Sequence, residues 1–296
     1  MDATRSGRRE VRDRRSPIES VLVHVALVLA VAFALYPVLW VVALALTGTP
    51  TPEASALPIP REPTLEHVEA VVLSTRDTAD GTIWLFGRQL LNSLVVSLAT
   101  AAVGVLIAIP TAYALARFDF VGKQAGMRGL LATQMFPAVA SAIPLYLILD
   151  ALSLLNSRTG LILCYASTSV PFAIFQLRAA FEAIPVDLEE AAMVDGATRF
   201  EAFVRVVLPV ARPAIAVTAL FAFMSAYNEF ILAATLLDDE TMFTLPVMLQ
   251  RFIGEYDAQW EKFAAGAIIV SLPVMALFYV AQRHLVAGLA SGGVKG

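Results

Sequence analysis

Six strongly apolar segments, separated by polar connections, dominate the chain. The first, residues 21–46, reaches about 39 Å as a helix, which is enough to cross a hydrocarbon core of about 30 Å with some tilt. It is far longer than the apolar core of a signal peptide, so we expect an uncleaved membrane span. The other five segments are 90–116, 127–149, 161–177, 214–237 and 263–282. The pattern predicts an all-α integral membrane protein with six transmembrane helices.

The polar connections define the predicted organisation of the chain. An arginine-rich segment precedes the first span, and a proline-rich segment without strong apolar character follows it. Two further polar stretches interrupt the second half, and a short glycine-rich tail ends the chain. The predicted units are a basic N-terminal segment (1–20), a first helix (21–46), a periplasmic or extracellular loop (47–89), a five-helix core (90–283) containing a cytoplasmic loop (182–212) and an external loop (238–262), and a cytoplasmic tail (284–296).

Composition and charge support this topology. The chain is 58% hydrophobic and only 16% charged, whereas a soluble domain is about a quarter charged. With six spans, 15 of the 21 Lys and Arg residues fall on the side of the N-terminus. The positive-inside rule therefore places both termini and the 182–212 loop in the cytoplasm. A single cysteine, Cys164, and three scattered histidines give no disulfide and no metal-site spacing.

Residues 188–213 form the longest charged segment between two apolar regions in the second half of the chain. Acidic and alanine residues from Glu189 to Ala192 favour the first turn of a helix. Gly196 is positioned to stop or bend it. Thr198 and Glu201 have the spacing of a capping box, which predicts a second short helix. The segment therefore predicts a helix–glycine–helix elbow on the membrane surface, which could press into a partner.

One acidic residue, Glu229, lies inside the predicted fifth span, beside Tyr227 and Asn228. A carboxyl group there costs a few kcal/mol on insertion scales, so it should face the bundle interior and be paired or neutralised. Two interpretations stay open. The three residues could line a translocation path and form hydrogen bonds with its substrate, or Glu229 could make a structural contact between helices or subunits.

The sequence lacks the nucleotide-binding and hydrolytic motifs that a membrane-bound ATPase or protease requires. It has no Walker A pattern, so any ATP must be hydrolysed by a separate chain. No Ser/His/Asp set and no His-Glu-x-x-His motif occurs. We therefore predict a transport subunit without catalytic residues, metal or nucleic-acid partner. The alternatives are a proton-coupled secondary transporter that uses Glu229, which the lack of inverted repeats disfavours, and a purely structural scaffold.

The elbow and several other motifs resemble one known family. The sequence Glu-Ala-Ala from Glu190, followed by Gly196 and by the Leu208-Pro209 ending, resembles the EAA loop of ABC-importer permeases. Similar motifs are Ala112–Phe118, Gln134–Pro137 and the last five residues. Over its full length the chain resembles the MalG type, the second permease subunit of maltose/maltodextrin or trehalose importers.

The resemblance implies a type I ABC-importer permease fold and a set of functional residues. The EAA loop would be the coupling helix that docks in a cleft of the cytoplasmic ATPase, and the tail would enter the interface of the ATPase dimer. The implied coupling residues are Glu189, Glu190, Ala191, Ala192, Asp195, Gly196, Ala197, Leu208 and Pro209, and the tail residues are Gly292, Gly293, Val294, Lys295 and Gly296.

The resemblance also implies the partners. They are a homologous permease, an ATPase dimer that binds ATP and magnesium, an extracytoplasmic sugar-binding protein and the lipid of the bacterial inner membrane. No cofactor is implied for this chain itself. In the maltose branch most sugar contacts are implied to lie in the sister permease, so the path role of Tyr227, Asn228 and Glu229 stays a hypothesis.

Overall fold

A computed structural model describes residues 17–48, 57–60, 62–79, 81–254 and 258–292. Most of the predicted basic N-terminal segment, and Gly293, Val294, Lys295 and Gly296 of the predicted tail, lie outside these residues. The described part of the chain is mostly helical, with one two-stranded hairpin.

The membrane helices follow one another in the order that the apolar pattern predicts, with several short helices between them and a strand pair in the predicted 47–89 loop that the pattern does not predict. The long helices are α1, α3, α6, α9 and α12. The elements are α1 (Pro17–Ala45), α2 (Glu66–Val72), β1 (Thr75–Thr78), β2 (Gly81–Trp84), α3 (Leu85–Arg117), α4 (Lys123–Met135), α5 (Ala138–Ala151), α6 (Arg158–Glu182), α7 (Asp187–Val194), α8 (Arg199–Ala202), a π-helical turn (Phe203–Val207), α9 (Leu208–Tyr227), α10 (Ile231–Leu236), α11 (Leu245–Gln250) and α12 (Trp260–Gly292).

Five helices are long and apolar enough to cross a membrane, and a bent pair of helices makes a sixth span if it is counted as one. The pair is α4 and α5, which meet at an angle of 103° and correspond to the predicted span 127–149, whose Pro137 and Pro144 predict breaks. The break lies at Pro137. Phe136 before it adopts an extended conformation (ψ 127°), as the residue preceding a proline prefers.

The predicted fifth span, 214–237, differs from the structure at both ends. The helix begins much earlier, at Arg199, because α8, the π-helical turn and α9 run on continuously. In the wide turn the N–H of Leu208 donates to the carbonyl of Phe203, so the chain accommodates Pro209, which has no N–H to donate, without breaking the helix. At the other end α9 stops at Tyr227, and the short α10 follows after a break.

The centre of the bundle consists of α3, α6 and α9, which pack against one another. Small residues occupy the contact between α3 and α6, where Ala108, Ala112 and Ala173 are buried. Such residues let helix backbones approach closely, which is how membrane helices gain packing energy. On the other flank, α12 packs against α1, α2 and α9.

The two ends of the bundle carry different structures. At one end, which we name the α7 side, lie α7, α8 and the end of α3 at Arg117. At the other, which we name the hairpin side, the antiparallel hairpin pairs Thr75 with Trp84. The segment 238–245 lies there too, because Arg76 of the hairpin forms an ion pair with Asp239.

Candidate functional site

The predicted elbow is present on the α7 side. Helix α7 ends at Val194, and Gly196 adopts a left-handed conformation with φ +93°. The N–H of Ala197 donates to the carbonyl of Ala192 at 3.0 Å, and the N–H of Gly196 donates to Met193 at 3.1 Å. This pair of bonds is a Schellman motif, which satisfies the last carbonyls of α7 and reverses the chain. A side chain at Gly196 would meet open space, so the glycine is needed for its backbone angle.

The predicted capping box fixes the start of the next helix. The hydroxyl oxygen of Thr198 accepts from the N–H of Glu201 at 3.2 Å, and the Glu201 carboxylate accepts from the N–H of Thr198 at 2.9 Å. Because α8 continues into α9, this cap joins the elbow directly to a membrane-spanning helix. The elbow is therefore held at both of its turns by local hydrogen bonds.

The face of the elbow that points away from the bundle combines apolar and acidic residues. Val194 is 87% exposed and Phe200 is 73% exposed. Glu190, Ala191, Asp195 and Gly196 of the predicted coupling set are exposed as well, and Ala192, Ala197, Leu208 and Pro209 are half-buried. Large exposed apolar side chains beside exposed acidic residues, at the end of a membrane helix, indicate a surface that a partner covers.

Glu189 differs from the rest of the predicted coupling set, because its side chain points into the bundle. Only 5% of the residue is exposed. The Nε atom of Arg117 donates to its Oε1 atom at 2.5 Å, and the hydroxyl of Tyr113 donates to its Oε2 atom at 2.8 Å. Both carboxylate oxygens thus have partners on α3. Within this structure Glu189 connects α7 to a membrane helix instead of lying on the exposed face.

Arg117 connects three elements at once. Besides its ion pair with Glu189, its Nη2 atom donates to the carbonyl of Ile184 at 2.8 Å, just after the end of α6. A cation at the C-terminus of a helix satisfies free carbonyls and interacts favourably with the helix dipole. One guanidinium therefore holds the end of α3, the end of α6 and the start of α7 together.

An aromatic cluster surrounds these polar contacts. The rings of Tyr113 and Phe203 lie 4.3 Å apart between centroids, and Phe118 and Phe181 contact Tyr113 edge-on at 6.0 and 6.1 Å. The guanidinium of Arg199 lies 5.1 Å from the centre of the Phe118 ring. Edge-on ring contacts and a cation over a ring are each favourable geometries. The α8 end of the elbow is thereby attached to α3 as well.

Sequence reasoning did not assign Tyr113 or Arg117 to the site. Both lie in the Ala112–Phe118 motif, four residues apart, so they share one face of α3. A tyrosine and a terminal arginine on one helix face indicate a polar contact, but their partner lies 72 to 76 residues further along the chain.

The residues predicted to line a path, Tyr227, Asn228 and Glu229, do not form one open surface. Tyr227 is buried, and its hydroxyl donates to the carbonyl of Val270 at 2.9 Å. The amide of Asn228 donates to Met224 within its own helix. The carboxylate of Glu229 accepts from the N–H groups of Leu232 and Ala233 at 3.0 and 3.2 Å. Glu229 thus lies in the break after α9 and caps α10.

On the hairpin side, a second set of polar contacts fixes the predicted external loop to α3. The amide nitrogen of Asn92 donates to the carbonyls of Thr241 and Phe243 at 2.8 and 3.0 Å, and its oxygen accepts from Arg158 at 2.8 Å. Ser93 accepts from the N–H of Leu245 at 2.7 Å. Helix α3 therefore contacts the elbow at one end and the 240–245 segment at the other.

Comparisons with known proteins agree with this architecture. Residues 102–291 match the family described as "Binding-protein-dependent transport system inner membrane component". The chain belongs to this family. The match includes the elbow, Tyr113, Arg117 and the whole of α6 and α9.

Relatives and solved structures cover nearly the whole length. The chain is 36% identical to the trehalose transport system permease protein SugB of Mycobacterium tuberculosis, over 90% of this chain and 95% of SugB. It is 35% identical to the maltose/maltodextrin transport system permease protein MalG of Yersinia pestis, over 92% of each chain. A solved bacterial ABC transporter that imports the acidic polysaccharide alginate has the same fold, with TM-score 0.73, 23% identity, and coverage of 90% of this chain and 96% of that one. The proton-coupled alternative finds no support among these relatives.

Proposed function

We propose that the chain is a permease subunit of an ATP-driven ABC importer that takes up a sugar, with maltose/maltodextrin or trehalose as the favoured substrates. The observation that carries the proposal is the elbow. Its outer face is exposed and partly apolar, whereas its inner face is joined to a membrane helix through the buried pair of Glu189 and Arg117. An elbow that binds a partner on its outer face and a membrane helix on its inner face is suited to transfer motion from the partner to the helix.

The partners follow from the same geometry and from the relatives. An ATPase dimer covers the exposed face of α7 and supplies ATP, magnesium and hydrolysis, for which this chain has no nucleotide-binding motif. A homologous permease completes the translocation path, and an extracytoplasmic binding protein delivers the sugar. By resemblance, the tail from Gly292 to Gly296 reaches the ATPase dimer interface. The relatives named for trehalose and maltose transport support the sugar class.

The α7 side is placed in the cytoplasm, with both termini on that side. The bias of 15 of 21 cationic residues toward the side of the N-terminus supports this orientation. The hairpin side then faces outward, where the 238–262 segment is available to a binding protein. A cytoplasmic elbow is also the only arrangement in which a cytosolic ATPase reaches it.

The mechanism we propose begins with closure of the ATPase dimer, which displaces α7. Because Glu189 is bonded to Arg117 and Tyr113 at the end of α3, the displacement moves α3, and the aromatic cluster moves α6 and α9 with it. The bundle then alternates between inward- and outward-open states. ATP can drive this change only because the ATPase contacts the elbow differently in the two states.

The direct test is reconstitution of the complex in liposomes. The chain is co-purified with its ATPase and sister permease, and uptake of radiolabelled trehalose and maltose is measured with the binding protein outside. We expect uptake that requires ATP inside the vesicles and stops with a non-hydrolysable ATP analogue. Uptake by the chain alone, driven by a pH gradient without ATP, would contradict the proposal and favour a secondary transporter.

A further inference from the structure

A groove of about 300 Å³ opens between α4, α6 and α9, a volume at the lower end of the range for small-molecule sites. It lies halfway along α6, at Thr168, Ser169 and Phe172. Phe221 and Ser225 of α9 and Gln134 of α4 line its other sides. Its position in the middle of a membrane-spanning helix places it at the depth of the hydrocarbon core.

The polar side chains of the groove are unusual for a surface that faces lipid. Gln134 and Ser225 are exposed and have no hydrogen-bond partner among the described residues. An amide without a partner is costly in hydrocarbon, so the groove must meet water, a polar ligand or another protein surface. Thr168 and Ser169 donate to carbonyls one turn back in α6, and each hydroxyl oxygen can still accept a bond from a ligand.

Two aromatic rings lie beside these polar groups. Phe172 and Phe221 are each 51% exposed, and their rings meet edge-on with centroids 6.3 Å apart. The open faces of both rings are available for packing. A saccharide presents C–H groups on the faces of its rings and hydroxyls around their edges. Exposed phenyl rings next to hydroxyl and amide groups match both features.

None of the residues that the structure places in the lining carries a charge. A carboxylate or sulfonate on a substrate would lose its hydration here without meeting a cation, which is a large penalty. The solved relative that imports alginate is described as handling an acidic polysaccharide. The lining of this groove favours an uncharged saccharide instead.

We propose that this groove is the part of the translocation path contributed by this chain, and that it selects a neutral di- or oligosaccharide through Phe172, Phe221, Gln134 and the neighbouring hydroxyls. The inference rests on the proposed import function, and it assigns the path to α4, α6 and α9 instead of to the break after α9 at Glu229. The sister permease closes the opposite wall.

Thiol labelling in the assembled complex tests whether the groove holds water and sugar. Cys164 is the chain's single cysteine and is buried, so Ser169→Cys introduces the reactive group. The probe is a charged methanethiosulfonate, which reacts with a thiolate in water. Leu106→Cys is the matched control, because Leu106 is exposed on α3, has the apolar residues Val105 and Ile107 as its neighbours in sequence, and lies outside the groove. The mass that the reagent adds to this chain is measured by mass spectrometry, with and without ATP.

We expect Ser169→Cys to be labelled, Leu106→Cys to stay unlabelled, and maltose or trehalose to slow labelling of Ser169→Cys by about tenfold, as saturating occupancy by a ligand predicts. An alginate disaccharide at the same concentration should give no protection. Absence of labelling in every state would mean that lipid or the sister permease covers the groove, and would overturn the inference. Labelling that no sugar slows, or equal protection by the acidic disaccharide, would overturn it too.

Transport variants give a second, independent readout. Phe172→Ala should lower sugar uptake per assembled complex about tenfold through loss of ring packing. Phe278→Ala is the control, because Phe278 is similarly exposed on α12 and lies outside the groove. Equal uptake by both variants contradicts the inference. If the wild-type complex itself shows no ATP-dependent uptake, the proposed function fails, which is a separate result.

Discussion

Arg117 at the end of α3 and Glu189 on α7 form an ion pair whose side chains are only 7% and 6% exposed. A buried pair of this kind is costly to break from one side, because the remaining charge has no counter-ion and little water. The pair also joins the surface proposed for the ATPase to the central helix of the bundle. Stability and energy coupling therefore depend on the same two residues, and substitutions can separate the two effects.

Glu189→Ala should destabilise the protein by about 3–5 kcal/mol, because Arg117 is left buried and unpaired. The double variant Glu189→Leu with Arg117→Met should recover much of that loss, because no buried charge remains. In the reconstituted complex the double variant should hydrolyse ATP but import little sugar. Thermal unfolding in detergent and uptake assays measure the two effects.

The control for this pair is Glu182→Ala, which removes a more exposed ion pair with Arg178 on α6. Pairs of that kind contribute about 0.2–1 kcal/mol, so its melting temperature should change little. If Glu189→Ala were as stable as Glu182→Ala, the buried pair would have no structural role. Full uptake by the double variant would show that motion reaches α3 by another route.

Glu190→Lys should abolish the stimulation of ATP hydrolysis by the binding protein and leave the fold intact. Glu190 is exposed on the outer face of α7, so reversal of its charge changes a docking surface without disturbing internal packing. Glu69→Lys, an exposed acid on α2 at the hairpin side, is the matched control. Normal stimulation in Glu190→Lys, or equal loss in both variants, removes Glu190 from the docking surface.

Gly196→Ala should destabilise the elbow by about 1–2 kcal/mol, because φ +93° is unfavourable for an L-residue with a side chain. Gly196→Asn should be milder, because asparagine tolerates this region better, and Gly196→Pro should be the most severe, because it also removes the N–H that donates to Met193. Hydrogen exchange in residues 187–202 reports the local loss.

Gly129→Ala in α4 is the control for the glycine series. Gly129 lies within a helix, its φ is not positive, and an added methyl group meets no atom within 4 Å, so alanine should be neutral or slightly stabilising. If Gly196→Ala lost no more stability than Gly129→Ala, the left-handed turn at Gly196 would be dispensable.

The contact between the hairpin and the 238–245 segment should weaken in acid. The Asp239 carboxylate accepts from the N–H of Thr241 and lies 3.0 Å from Arg76, and these contacts hold the pKa of Asp239 below its ordinary value of 3.8. A lowered pKa in the folded state stabilises the fold above the ordinary pKa, and that contribution is lost as the pH falls through the folded value. The protection factor of the Thr241 amide, which is the ratio of its intrinsic to its observed exchange rate at the same pH, should therefore fall below about pH 4 in the wild type. In Asp239→Asn the protection factor should be lower already at neutral pH and should change less with acid, and the same pH response in both proteins would contradict this assignment.

Local sequence signals predicted the elbow well. Gly196 and the pair of Thr198 and Glu201 act through bonds within a few residues, so their spacing alone indicates the turn and the cap. Six apolar segments likewise predicted the membrane helices, because hydropathy over about 20 residues decides which segments enter a bilayer.

The remaining features depend on how helices that are far apart in sequence pack against one another. The spacing of residues along the sequence does not reveal that packing. Glu189 looked like a docking residue, and only the packing of α7 on α3 shows it paired with Arg117. Glu229 looked like an intramembrane acid because the break at Asn228 carries no proline or glycine to indicate it. The groove beside Phe172 depends on which faces α4, α6 and α9 present to one another. No single segment of the sequence determines that arrangement, so the sequence does not predict the groove.

The central claim, that the exposed face of α7 docks on a separate ATPase, is tested most directly by crosslinking in native membranes. Val194→Cys places a thiol at the most exposed end of α7, and a short crosslinker with one thiol-reactive end and one photoreactive end then captures any protein that lies within reach. We expect an adduct that mass spectrometry identifies as this chain joined to an ABC ATPase, and none from Leu73→Cys on the hairpin side. An assembled, transporting complex in which Val194→Cys yields no ATPase adduct would contradict the claim.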